Sequence, residues 1–342
     1  MQAGWRWKRA GYFRRLRAPQ LIPRFTCLVC RRSFSSQTFS ATYWLKRPDL
    51  PELVFMKAVG GMANRQIARD LGVAPSTIDR LLGRLGRHCL LLHTLLTRDA
   101  RPEGPLVLDS FESFEYSQFF PFQHHNLVEA DTSFFWHFTD SPLRRKGRMT
   151  AVQKRRREVL EQQLGRPDPQ AIEKDVRHLL QTTLKSLPSW TLRSDDHPAY
   201  PRALSGLQVK PTHLITSSKE RRDAHNPLFE INLCDLLIRH SQANHKRETI
   251  AWSKRRLASA HRLAIFLVWR NYIKWRWEKR SGQTPAMLKG LLDRRLRVEE
   301  VVGGRCFRTR IQLPERWSAY YHGTVMTTAL RRNRTHVLRL AY

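Results

Sequence analysis

Residues 239–274 read RHSQANHKRETIAWSKRRLASAHRLAIFLVWRNYIK. Within them Ile250, Leu257, Leu263, Ala264, Leu267 and Val268 recur at steps of three, four or seven, while Lys246, Arg247, Lys254, Arg255, Arg256 and Arg262 take much of the rest. That period places the two sets on different faces of one long helix, the first seeking a core and the second seeking anions. Glu248 is the only acidic residue in the stretch. A lone carboxylate among cations is ordinarily an ion-pair partner for a neighbour one turn away. Two earlier runs, PLVLDSF and WTLRSDDHPAY, bring in another reading, because each ends apolar residues on an aspartate that a strand terminus would present to a shared site. Three such carboxylates can hold two magnesium ions for an in-line attack on a phosphodiester.

The charge balance agrees with an anionic partner. Lys plus Arg number 61 against 29 Asp plus Glu, a formal +32 over 342 residues. The excess is spread along the chain, which favours a polyanion such as nucleic acid; a ribosomal or membrane-surface protein is the other class with such a balance. No run of apolar residues is long enough to predict a membrane span, and the basic start MQAGWRWKRAGYFRRLR lacks the apolar core of a secretory signal. Five cysteines, at 27, 30, 89, 234 and 306, include one close pair. That pattern suits a reducing cytosol better than a disulfide framework.

Along the chain, NRQIARDLGVAPSTIDRLLGRLG reads as a helix-turn-helix. Ile67, Ala68 and Leu71 face a small core, Gly72, Val73 and Ala74 make the turn, and Pro75, Ser76 and Thr77 open a second helix that continues through Arg80 and Arg84. The first residues of such a helix meet base edges, so Ser76, Thr77, Arg80 and Arg84 are the candidate DNA contacts; a helical hairpin without a DNA role is the plainer alternative. RDARPEG at 98–104 separates this segment from the β signals PLVLDSFESFEY, HHNLVEADT and SFFWHFT. A basic run at 143–160, an amphipathic helix at about 169–184 and a fifth strand at 212–218 follow. The basic run is a solvated face or a phosphate contact. Near the C-terminus, LPERWSAYYHGTVMTTALRRNRTH alternates aromatics with arginines, for packing on the rest of the chain or for stacking on a single strand. A break in helical structure is expected at Ser281-Gly282.

Together these motifs resemble the insertion-sequence transposases with a DDE triad on an RNase H-like fold, over nearly the whole chain. The resemblance implies an α/β catalytic domain, a mixed five-stranded sheet with helices, preceded by a small α-helical helix-turn-helix domain. The boundaries it suggests are 1–45 for a degenerate zinc-ribbon segment, 46–98 for the helix-turn-helix, 103–280 for the catalytic domain and 281–342 for a basic aromatic extension. It implies Asp109, Asp195 and Glu248 as catalytic ligands of two Mg2+ (or Mn2+) ions. Asp195 is followed by Pro198, Ala199 and Tyr200 as in the family's second-aspartate element, and Asn244-His245-Lys246-Arg247-Glu248 fits its third. Glu112, Glu115, Glu129 and Asp131 are rivals to Asp109, Asp196 to Asp195, and Glu220 and Glu230 to Glu248. Two adjacent aspartates on a strand face opposite ways, so one of Asp195 and Asp196 faces the metals. Cys27 and Cys30, with the GYFRR segment before them, resemble the second knuckle of a zinc ribbon, half of the four ligands that structural zinc takes. The implied function is metal-dependent cleavage and transfer of strands at the element's terminal inverted repeats, by a homo-oligomer on double-stranded DNA in a bacterial cytoplasm, associated with the nucleoid. A catalytically inactive remnant that only binds DNA is the alternative.

Overall fold

A computed structural model describes residues 5–16, 18–184, 189–278, 282–333 and 335. The first segment is a small antiparallel sheet, β1 (Trp7–Arg14), β2 (Leu21–Cys27) and β3 (Ser33–Ser35), in the order β1-β2-β3. Too short for an aliphatic core, it is held by rings: Phe25 stacks on Phe34 at 5.3 Å, and Trp5 lies 4.8 Å from Phe34. Three helices follow, α1 (Leu50–Val59), α2 (Asn64–Asp70) and α3 (Pro75–Leu96). Gly72, at φ +59, makes the turn between the last two, a conformation that suits glycine. Pro75 opens α3 where no intrahelical N–H is needed.

The large sheet contains β4 (Leu106–Phe114), β5 (Pro121–Glu129), β6 (Phe135–Pro142), β7 (Thr191–Asp195) and β8 (Thr212–Thr216), in the order β6-β5-β4-β7-β8. The first three form an antiparallel meander; β7 runs parallel to β4, and β8 parallel to β7. The protein is thus α/β, with a five-stranded mixed sheet compatible with an RNase H-like core. Between β6 and β7 lie α4 (Ala151–Leu164) and α5 (Ala171–Leu184). The second buries Val176, Leu179 and Leu180, whereas α4 buries no residue. Beyond β7 come α6 (Ala199–Ser205), α7 (Phe229–Ser241), α8 (Arg256–Val268), α9 (Pro285–Leu288), α10 (Val298–Gly303) and α11 (Glu315–His322).

The single helix expected over 239–274 is two. Gln242 leaves helical space at φ −127, ψ 113, Ala243–His245 is one 3-10 turn, Glu248 sits at φ +53, and α8 starts only at Arg256. Burial explains the misreading. Every residue from Ser259 to Val268 is buried, so α8 has no solvent face to complete the expected stripe. Two of the cations assigned to an anion-facing side are interior. Arg256 lies 3.3 Å from Asp140, and Arg262 donates to Asn64 Oδ1 at 2.7 Å and to the Ala58 and Met62 carbonyls at 3.1 Å. The latter bonds satisfy carbonyls at the end of α1 and just beyond it, which have no partner within that helix.

α8 also crosses α3 closely, because Gly86 has no side chain to keep them apart; a Cβ there would lie 2.4 Å from His261 Cβ. On the far side, fully buried Asp140 of β6 receives Arg316 at 2.9 Å and the Tyr320 hydroxyl, as well as Arg256. These cations hold the Asp140 carboxyl down at about 2 despite its burial. Trp317, Tyr320 and Tyr321 of α11 are all buried, the first two against β6, so these tail aromatics pack in the interior and are not free to stack on bases. The segment before α1 meets the end of α10 as well: Ala41 N–H donates to the Val302 carbonyl at 3.1 Å and Arg305 N–H to the Phe39 carbonyl at 2.7 Å. At the edge of the sheet Asn271 bonds both the amide and the carbonyl of Phe135, at 2.9 and 2.8 Å, in place of a neighbouring strand. Ser281, where a break was expected, lies outside the described residues.

The helix crossing gives a direct test. Gly86→Ala should destabilise the protein by about 1–3 kcal/mol through overpacking against His261, read as a lower denaturant midpoint. An unchanged midpoint would show that α3 and α8 have room to separate.

Candidate active site

Two adjacent parallel strands set the site. β4 pairs with β7 through Leu108↔Ser194, so the next residues, Asp109 and Asp195, lie side by side on one face of the sheet. Asp195 ends β7 as the sequence suggests, but β4 continues five residues past Asp109 to Phe114. What ends at Leu108 is the pairing with β7. Each carboxylate takes a backbone amide: Ser110 N–H donates to Asp109 Oδ1 at 2.7 Å, and His197 N–H to Asp195 Oδ1 at 3.1 Å. The neighbouring Asp196 is exposed and accepts from the amide and hydroxyl of Ser218, each at 3.3 Å.

A third carboxylate arrives from α7. Asp235 is buried over β4 and β5 and accepts from Asn126 Nδ2 at 2.9 Å. Burial, and next the charge of Asp109, raise its carboxyl to about 7. Asp109 is raised to about 6, first by burial and then by Asp195, while the Ser110 amide, Arg222 and Arg239 pull it down. Tyr200 stands within reach of all three carboxylates, which together with burial push its phenol well above its ordinary value. Its hydroxyl meets Ser110 Oγ at 3.0 Å. From there a buried chain runs to His125 Nδ1 at 2.6 Å, from His125 Nε2 to Ser141 Oγ at 2.7 Å, and on to Asp175 at 2.8 Å. Burial lowers His125 to about 3, so its imidazole is neutral at physiological pH.

Glu248 is exposed in the connection between α7 and α8, not at the start of a helix as expected. The charges that act on Asp109 are those of Asp195, Arg222 and Arg239. The rival acids are engaged elsewhere or face solvent. Glu115 lies 3.9 Å from Arg256, Glu129 is 3.2 Å from Lys289, and Glu230 is 3.0 Å from Arg276; Glu112, Asp131 and Glu220 are exposed. Sequence reasoning missed Asp235, although a signal was present: it shares the buried side of α7 with Ile231, Cys234 and Ile238, and a carboxylate on an apolar helix face needs a reason.

Among the described residues no three His, Cys, Asp or Glu side chains close around one metal position. The oxygen donors of Asp109, Asp195 and Asp235 nevertheless have the chemistry that a hard divalent cation takes, and buried Asn126 Oδ1 beside them has no hydrogen-bond partner. Among the described residues the cysteine pair has no further ligand for a structural zinc. Cys27 and Cys30 do make a knuckle, with Arg31 at φ +59 and the Trp5 indole N–H donating to Cys27 Sγ at 3.3 Å. Backbone hydrogen bonds from Cys30, then the Trp5 bond, lower the Cys27 thiol to about 7. They remain two ligands of the four required, and His88 and Cys89 are buried on α3.

Of the helix-turn-helix candidates, Ser76 and Arg80 are exposed and Thr77 half-buried at the start of α3. Arg84 differs: its guanidinium donates to the Ala41 carbonyl at 2.7 Å and to that of Tyr43, tying the segment before α1 to α3. The basic run places Lys154, Arg155 and Arg156 in the open on α4.

No protein-family model matches the chain, and no curated protein does either. Among solved structures it is similar to a chain of the simian T-cell lymphotropic virus intasome in complex with PP2A regulatory subunit B56 gamma, at 14% identity and a TM-score of 0.27. The match covers 55% of each chain, so this protein spans about half of that relative. A likeness this distant speaks for neither fold nor activity. Among the described residues no helix is long and apolar enough to cross a membrane.

The raised carboxyls set a pH dependence. In the folded chain Asp109 and Asp235 keep protons that the unfolded chain loses near the ordinary 3.8. Their contribution to stability is therefore complete below about pH 4 and is lost as pH rises through about 6–7. The melting temperature should fall between pH 5 and 7.5, and Asp235→Asn should flatten that fall, worth a few kcal/mol at the upper end. Parallel curves for the two proteins would show that the aspartates are ionised throughout.

Proposed function

We propose that the protein is a DNA transposase of the DDE type, a polynucleotidyl transferase whose third acidic group is Asp235 and not Glu248. The observation that carries this reading is the placement of Asp109 and Asp195 on neighbouring parallel strands beneath Asp235, with the Asp109 and Asp235 carboxyls raised by their confinement. Buried carboxylates that feel one another's charge cost free energy at neutral pH unless a cation joins them. Asp109, Asp195 and Asp235 would hold Mg2+ or Mn2+; a pair of such ions supplies Lewis-acid stabilisation of the attacking and departing oxygens at a phosphodiester.

The chain's own residues prepare that chemistry. The Ser110 and His197 amides fix the Asp109 and Asp195 carboxylates, and Asn126 fixes Asp235. Tyr200, kept neutral and tied to Ser110, adds a hydroxyl without adding charge. Arg222 and Arg239 bring positive charge to the mouth of the site, suited to the phosphates on either side of the scissile bond. Ser76, Thr77 and Arg80 at the start of α3 supply contacts to base edges at the element's ends, while Arg84 serves the fold. α4 offers its exposed cations to the DNA backbone. Oligomerisation on DNA completes the reading. A second reading is a remnant that binds DNA without cutting it, and one assay separates the two.

End cleavage should be measured with Mg2+ on duplexes carrying the DNA that flanks the gene. Asp109→Asn, Asp195→Asn and Asp235→Asn should each lower the rate by several orders of magnitude while leaving binding intact, because the amide keeps shape and removes charge. Glu248→Gln should cut at close to the wild-type rate. Loss of cleavage in Glu248→Gln with retention in Asp235→Asn would restore the sequence-based triad. Binding with no cutting by the unaltered protein would establish the remnant.

A further inference from the structure

The connection that replaces the expected helix holds out one aliphatic side chain among cations. Ile250 is 91% exposed within it, and Lys246, Arg247, Lys254 and Arg255 lie to either side. This is not a slack tether. Asn244 Nδ2 donates to Ser253 Oγ at 3.1 Å, Tyr116 N–H to the Lys254 carbonyl at 3.2 Å, and the Trp252 ring packs 5.0 Å from Phe114. Glu248, at φ +53, turns the chain within it.

Its surroundings give it a direction. At one side Lys246 Nζ reaches the turn before α2, 3.7 Å from where a Cβ on Gly61 would be, and Lys254 feels the charge of Arg65 on α2. On the other side Arg247 acts on Arg239, which in turn acts on Asp109 and Asp235. Cations therefore line a path from the helix pair to the carboxylates, repelling one another until a polyanion lies along them. An aliphatic side chain standing out of such a path, fixed at its base, matches the way proteins that kink a duplex place an apolar wedge among basic residues.

We propose that loop 246–255 opens the duplex at the site, with Ile250 inserted as a wedge between terminal base pairs while the flanking cations hold the backbone. The proposal rests on the DNA-binding part of the reading above and not on cleavage. Separating the terminal pair would let a single strand reach the carboxylates, which are recessed at the sheet.

The test uses the full chain and a 2-aminopurine-labelled duplex, the label at its second base pair and its end sequence taken from the gene's flank, in Ca2+ so that nothing is cut. Binding is followed by anisotropy and unstacking by 2-aminopurine fluorescence. The unaltered protein should raise the fluorescence several-fold at saturation. Ile250→Ser, a surface change with an unaltered melting temperature, should bind within about threefold and lose most of that rise, and Ile250→Leu should restore it. Equal fluorescence from Ile250→Ser and the unaltered protein would overturn the wedge, as would saturation without any rise. A change of oligomeric state in Ile250→Ser with fluorescence retained would instead make this loop a protein interface, which also overturns it. Absence of binding to any duplex would remove the DNA reading on which the wedge rests; binding and unstacking without cleavage in Mg2+ would leave the wedge standing and remove only the enzyme.

Discussion

Two guanidinium groups on α8 hold the parts of this protein together. Arg256, at the start of the helix, lies against Asp140 and Glu115 of the sheet; Arg262, two turns on, binds the end of α1 and Asn64 at the start of α2. Asn64 in turn donates to Asp79 of α3 at 2.6 Å. Neither arginine is left in water, so each is stable only with its partners in place. One helix thereby fixes where the first three helices sit relative to the strands that carry Asp109 and Asp195. Gly86 permits this by bringing α3 within backbone reach of His261.

The same junction shows which parts of the fold were legible in the sequence. The strands of the large sheet and the Gly72 turn were, because apolar runs bounded by turn residues and a glycine between two helices are local signals; β1, β2 and β3 were not. Helix α8 was not. Its arginines look like a solvated face until Asp140 and the carbonyls after α1, far away in sequence, are brought to them. Arg84 is similar: a basic residue on an expected recognition helix looks free until the Ala41 and Tyr43 carbonyls arrive. Asp195 could be read from its strand end, and Asp109 from its apolar run, although the strand runs on. That Asp235 lies beside Asp109, and that Glu248 does not, could not be read without knowing which helix crosses the sheet. Both lie near cations, and only tertiary contact separates a carboxylate over β4 from one in solvent.

The site is built so that charge is conditional. Buried Asp235 feels the charge of Asp109, and the polar chain beside them, Tyr200 to Ser110 to His125, is neutral at its aromatic groups. That chain can shift a proton or a hydrogen bond without creating an ion in the interior, which a charged imidazole there could not do. The positive groups stand further out, where Arg222 and Arg239 temper the carboxyls without pairing with them as Arg256 and Arg316 do with Asp140.

The meeting of the segment before α1 with the end of α10 bears on how the protein is made. Phe39 and Ala41 rest on Arg305 and Val302, and Asp140, an early strand residue, waits for Arg316 and Tyr320. On a ribosome these partners emerge well after the residues they meet. At about 5–20 residues per second the interval between the first anchor and its seat is on the order of tens of seconds. Throughout that time a buried-to-be carboxylate and an aromatic-rich hairpin lack their counterparts. The nascent chain therefore cannot finish folding piece by piece from its N-terminus, and a chain that stops before α11 leaves Asp140 on the edge strand β6 without Arg316 and Tyr320.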